Sequence, residues 1–134
     1  MGCPIKGFFE GALWQPGANK YDKVWSASSL DHSNDPVLGL FNLISICRIG
    51  GGAIMMLRPN DAEGEDYKGL HQWNLDNIFD GELILHQLGR RFSMMPLLRP
   101  QGDLVVQNVA ASERDKAKLI VKFKKRRMPI FLRL

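Results

Sequence analysis

The 134-residue chain predicts an α+β fold: one compact domain over residues 1–134, built mainly on antiparallel sheet with one or two helices. Three observations lead there. The length is that of one ordinary domain with a buried core of its own. Apolar residues at 45% and charged residues at 24% match soluble globular proteins and exclude a fibrous or disordered chain. Short alternating segments surround one segment with strong helix punctuation, and no internal repeat appears.

In chain order, residues 1–20 are rich in glycine, proline and aromatics. Phe8, Phe9 and Trp14 are too apolar to stay in water, so this stretch reads as an arm packed back onto the body. Tyr21 to Ala27 alternates loosely around Val24 and Trp25 and predicts a strand, and Ser28 to Pro36 a polar turn. Asp35 can cap free N–H groups, Pro36 suits the first helical position and Gly50 can terminate in the left-handed region, which together predict a helix from about Pro36 to Arg48. Val37, Leu40, Phe41 and Ile44 would be its buried stripe, with a buried strand through Leu43–Ile49 as the alternative.

Ala53 to Leu57 predicts a short interior strand, followed by a loop from Arg58 to Asp66. Tyr67 to Trp73 reads as a further strand, and residues 75–89 fit neither period throughout. Phe92 to Leu98 and Asp103 to Val109 predict two strands paired across the Pro100–Gly102 turn. Ala117, Leu119, Val121 and Phe123 alternate with Lys118, Lys122 and Lys124, as a half-buried strand should. Met128, Ile130, Leu132 and Leu134 repeat the alternation, and residues 116–134 form a basic C-terminal strand segment.

Charge is divided along the chain. Residues 1–115 hold 10 Lys or Arg and 14 Asp or Glu, while residues 116–134 hold 8 Lys or Arg and no acid. Clustered cations favour a polyanionic partner. Lys122, Lys124, Lys125, Arg126 and Arg127 are therefore the candidate polyanion-binding residues, able to release counterions from nucleic acid or an anionic membrane surface. The bland reading is a soluble turn that guards sheet edges against aggregation.

Other motifs are weaker. Met1-Gly2-Cys3 looks like a dual-acylation start, with Gly2 for myristoylation and Cys3 for palmitoylation, but Lys6 stands where Ser or Thr is preferred. Asp31-His32-Ser33 has an adequate explanation as a turn, and His71 and His86 make no metal spacing with Cys3 or Cys47. Gly50-Gly51-Gly52 lacks the Lys-Ser or Lys-Thr of a phosphate loop. Asp61, Glu63, Glu65 and Asp66 lack the ordered spacing of a calcium loop and read as solvent-facing. Two cysteines give no disulfide framework, and no apolar run reaches the length of a spanning helix.

The leading expectation is a non-enzymatic structural or adaptor protein, such as a component of a viral or ribonucleoprotein assembly, that touches nucleic acid through its basic end. It calls for no cofactor and no metal. Homo-oligomerisation through Met128–Leu134 is its assembly variant. One alternative is peripheral membrane attachment of an intracellular, non-secreted protein. The other is an enzyme whose site is assembled only in the fold, with Asp31, His32 and His86 as acid–base groups.

Overall fold

Alternation and capping determine which segments become strands and helices. A computed structural model describes residues 19–27, 30, 35–69, 72–77 and 81–127. Strand β1 spans Tyr21–Ala27, helix α1 Pro36–Ile46 and strand β2 Cys47–Leu57. β1 and β2 are parallel neighbours, with Val24 opposite Ala53 and Ala27 opposite Met56. Parallel neighbours need a crossover connection, and α1 lies within it. Strand β6, Gly102–Val109, and strand β7, Lys118–Lys125, complete a four-stranded sheet in the order β1-β2-β7-β6, with β7 antiparallel to both its neighbours.

The remaining elements are short. Helix α2 covers Asp61–Gly64, strands β3, β4 and β5 cover Asn74–Asp76, Ile84–Gln87 and Arg90–Ser93, and helix α3 covers Met95–Leu98. The three strands form a separate antiparallel sheet in the order β3-β4-β5.

Strand parity decides what the larger sheet buries. Val24, Ala53, Phe123 and Leu104 make one inward row across the four strands, and Ser26, Met55, Val121 and Val106 make the next. Leu40, Leu43 and Ile44 of α1 join these rows in one core with Leu75, Leu83 and Leu85 of the small sheet and Leu98 of α3. Burying each such side chain contributes about 1.5–3 kcal/mol, so this shared interior dominates the fold's stability.

The α+β class holds, with corrections in detail. The larger sheet is mixed, because β1 and β2 run parallel, and among the described residues there are three helices. The Asp35 carboxylate accepts the Leu38 N–H at 3.0 Å, the cap the sequence implies. Helix α1 nevertheless ends at Ile46, with Cys47 already extended at its end. Gly50, at φ +87°, serves a bulge inside β2, where the pairing jumps from Tyr21–Cys47 to Lys23–Gly52. Val37 is exposed and Phe41 only half-buried, while Leu43 takes a place in the core.

Two expected strands are not found among the described residues. Asp66 and Tyr67 both have φ 54°, and residues 67–69, 72 and 73 are not strand. Ser93 ends β5, and Pro96 sits in the first turn of α3, so residues 95–98 are helical. β6 consequently pairs with β7, and β5 with β4.

Candidate functional site

Parallel strands direct their carboxyl ends to the same side, and in open α/β sheets ligands bind in the crevice outside those ends. Here that side is marked by Ala27 and Leu57. Leu30, the next described residue after β1, is a fully buried core residue. Beyond Leu57, the chain turns through Asn60 in the left-handed region, at φ 52°, into α2.

Fully buried Asn74 ties this region to the small sheet. Its Oδ1 accepts the Glu63 N–H of α2 at 3.1 Å, and its Nδ2 donates to the carbonyl of His86 at 3.3 Å and to the Tyr67 hydroxyl at 3.4 Å. His86 lies directly opposite Asn74 on the neighbouring strand. Its Nε2 stands 3.9 Å from Asp76 Oδ2, both side chains being 15% exposed. The other Asp76 oxygen accepts the Asn77 N–H at 2.8 Å, whereas His86 Nε2 is buried with no hydrogen-bond partner. An imidazole with an unengaged nitrogen beside a held carboxylate can accept a proton and have the resulting cation stabilised.

Sequence reasoning named His86 but missed Asp76. The signal was available: Asn74-Leu75-Asp76 and Ile84-Leu85-His86 each centre on a buried leucine, and Leu75 pairs with Leu85. Asp31, His32 and His71 lie outside the described residues, as do Gly2, Cys3, Met128, Ile130, Leu132 and Leu134. Of the four loop acids, Glu63, Glu65 and Asp66 are exposed but Asp61 is buried at the start of α2.

The basic segment is divided by strand parity. Lys122 and Lys124 are exposed on the outer sheet face. Lys125 points inward and is fully buried, its Nζ donating to the carbonyls of Ser45 at 3.0 Å and Cys47 at 2.6 Å. Burial pushes its pKa down to about 8, with the Cys47 thiol acting weakly the other way. The Cys47 pKa is raised, first by burial and less by Asp22, against the lowering effect of Lys125. Arg126 pairs with Asp103, and exposed Arg127 donates its backbone N–H to Gln101. Lys125 is therefore a helix cap inside the fold and does not belong to a presented cationic surface.

No protein-family model matches the chain, and no curated protein does. Solved structures do. One is a SAM-dependent methyltransferase of Thermotoga maritima, described as a possible histamine N-methyltransferase, at TM-score 0.55 and 16% identity over 91% of this chain and 63% of that one. Another is the 1,6-didemethyltoxoflavin-N1-methyltransferase of Burkholderia thailandensis, holding 1,6-didemethyltoxoflavin and S-adenosylhomocysteine, at TM-score 0.51 and 16% identity over 86% and 48%. The chain spans less than two thirds of either neighbour's length.

At that identity the likeness concerns the fold. It overturns the expectation of a non-enzymatic structural or assembly protein, whose ground was the basic end, because the architecture is one that SAM-dependent methyltransferases use. Of the readings drawn from the sequence, the likeness favours an enzyme whose site is assembled in the fold.

Proposed function

We propose that the chain acts in SAM-dependent methyl transfer and supplies the acceptor side of the site, with His86 and Asp76 as its acid–base pair. The observation that carries this reading is the likeness of the fold to two SAM-dependent methyltransferases, at TM-scores 0.55 and 0.51. His86 takes the proton that an amine acceptor loses, and Asp76 stabilises the imidazolium.

S-adenosylmethionine supplies an electrophilic methyl group, but the described residues do not by themselves fit it. Its charged end calls for free N–H groups at a helix start or a glycine-rich turn between strand and helix. Pro36 has no N–H, and the Leu38 N–H is engaged by Asp35. The Glu63 N–H is engaged by Asn74, and Gly50–Gly52 lie inside β2.

Methyl transfer to small heterocyclic and imidazole amines, followed by mass spectrometry, tests the proposal. The expected result is product from the wild-type chain and about 10²-fold less from His86→Gln. No product from the wild type, with no change in the His86 ring signals on adding acceptor and S-adenosylhomocysteine, overturns it.

A further inference from the structure

The face of the larger sheet opposite α1 is cationic and carries an open tryptophan. Register sets its rows: Lys23, Gly52, Lys124 and Asp103 lie straight across β1, β2, β7 and β6, and Trp25, Ile54, Lys122 and Val105 make the next row. Lys23, Lys122 and Lys124 are exposed, and Trp25 is 71% exposed. The neighbouring acids are already matched, Asp22 by Arg48 at 3.0 Å and Asp103 by Arg126. Among the described residues the three lysines have no such partner. The face therefore holds a surplus of positive charge that draws anions to it.

Between these groups is a groove of about 520 Å³, within the size range of small-ligand sites. Lys23, Trp25, Ile54 and Lys124 line it with Gly51 and Gly52. Gly52 stands between the two lysines of its row, so no side chain separates them. Two strand spacings place their backbones about 10 Å apart, a gap that two lysine side chains can close from either side onto one oxyanion. Trp25 follows Lys23 by two residues on the same face, about 7 Å along the strand. The glycine run thus has a use that neither a phosphate loop nor a helix terminator explains: it leaves room between cations and beside a ring.

We propose that this groove binds a small aromatic phosphate the size of a nucleoside monophosphate, its ring stacked on Trp25 and its phosphate held between Lys23 and Lys124 above Gly52. Lysine recognises phosphate as a point charge, and two ammonium groups match an oxyanion carrying close to two negative charges. Stacking tolerates any flat ring, so the ligand class is set by the pairing of ring and phosphate. A nucleic-acid strand would need further rings and cations along its path. The following row, Ala27, Met56, Ile120 and Gln107, offers neither. The groove is on the side of the sheet away from the core that the small sheet shares, so the inference does not rest on His86 and Asp76.

Titration of the full chain with inosine monophosphate, followed through its NMR signals, tests the site. The Trp25 indole N–H and the amides of Gly52 and Lys124 should shift together and saturate. Inosine and inorganic phosphate, each lacking one half of the ligand, should bind about tenfold more weakly. Trp25→Ala, and Lys23→Gln combined with Lys124→Gln, should each weaken binding by about the same factor; all three side chains are exposed, so the fold is kept. Lys116→Gln combined with Arg127→Gln removes equal charge outside the groove and should leave binding unchanged. Absence of shifts at Trp25, Gly52 and Lys124 overturns the proposal, as does equal binding of inorganic phosphate alone or an equal loss in the Lys116→Gln, Arg127→Gln chain. An oligonucleotide that saturates these signals where inosine monophosphate does not also overturns it, and gives the face to a nucleic-acid strand.

Discussion

Lys125 Nζ lies 2.6 Å from the carbonyl oxygen of Cys47, the residue on which α1 turns into β2, and 3.0 Å from that of Ser45. A lysine from β7 therefore caps a helix 78 residues earlier in the chain, where the last carbonyls carry partial negative charge. Lys125→Met keeps the stem's volume but leaves both carbonyls without this donor. The expected loss is about 1–3 kcal/mol, measured by urea unfolding at pH 7.

Stability should also depend on pH through this lysine. Its folded pKa of about 8 lies below the ordinary 10.5, so between those values the unfolded chain binds more protons than the native one. The cost of holding the charged amine inside the fold is therefore full below pH 8, shrinks as pH rises through that window and is gone above 10.5, on top of the hydrogen bonds it makes. The full span is about 3 kcal/mol. Cys47 opposes it: its raised pKa means the native thiol holds a proton that the unfolded chain gives up above 9.0, so its contribution falls as pH climbs. The stability of the wild type relative to Lys125→Met should therefore increase from pH 7.5 to 9 in paired unfolding titrations. A flat difference would exclude the assignment.

Two glycines in different surroundings, Gly51 at the β2 bulge and Gly64 in α2, predict opposite outcomes. A Cβ on Gly51 would collide with the Asp22 carbonyl of β1, and backbone on both sides leaves little room to yield. Gly51→Ala should lose about 1–3 kcal/mol by thermal or urea unfolding. Gly64 has open space around it and an ordinary helical backbone. Gly64→Ala should gain about 0.4–1 kcal/mol, since it restricts the unfolded chain without strain.

These contrasts also mark how far the sequence could be read. Loose alternation locates β1 at its observed bounds, and Asp35-Pro36 marks the start of α1 because capping is local chemistry. The alternation that puts Phe123 inside and Lys124 outside also puts Lys125 inside, so its burial was implied by parity and obscured by charge. The small sheet was not legible: its strands have three or four residues, too few for either period to declare itself. Parallel pairing of β1 with β2 depends on where a crossover returns, which no local pattern encodes. For the same reason His86 could be named, but not its partner Asp76, which only the pairing of β3 with β4 brings beside it.

Asn74 supplies the prediction that separates site from scaffold. With three hydrogen bonds, it holds the start of α2, the Tyr67 hydroxyl and the backbone of His86 in one arrangement. Asn74→Leu fills a similar volume but leaves the Glu63 N–H and the His86 carbonyl without those bonds, at a cost of about 2–4 kcal/mol in urea unfolding. Because Asn74 touches His86 through the backbone alone, it acts as a positioning residue. The His86 ring signals should therefore shift in Asn74→Leu even where circular dichroism shows the native fold. His86→Gln, whose backbone can keep the Asn74 bond, should unfold within about 1 kcal/mol of the wild type. If His86→Gln instead destabilises the chain as much as Asn74→Leu does, the imidazole is a packing element and its place in the proposed acid–base pair falls.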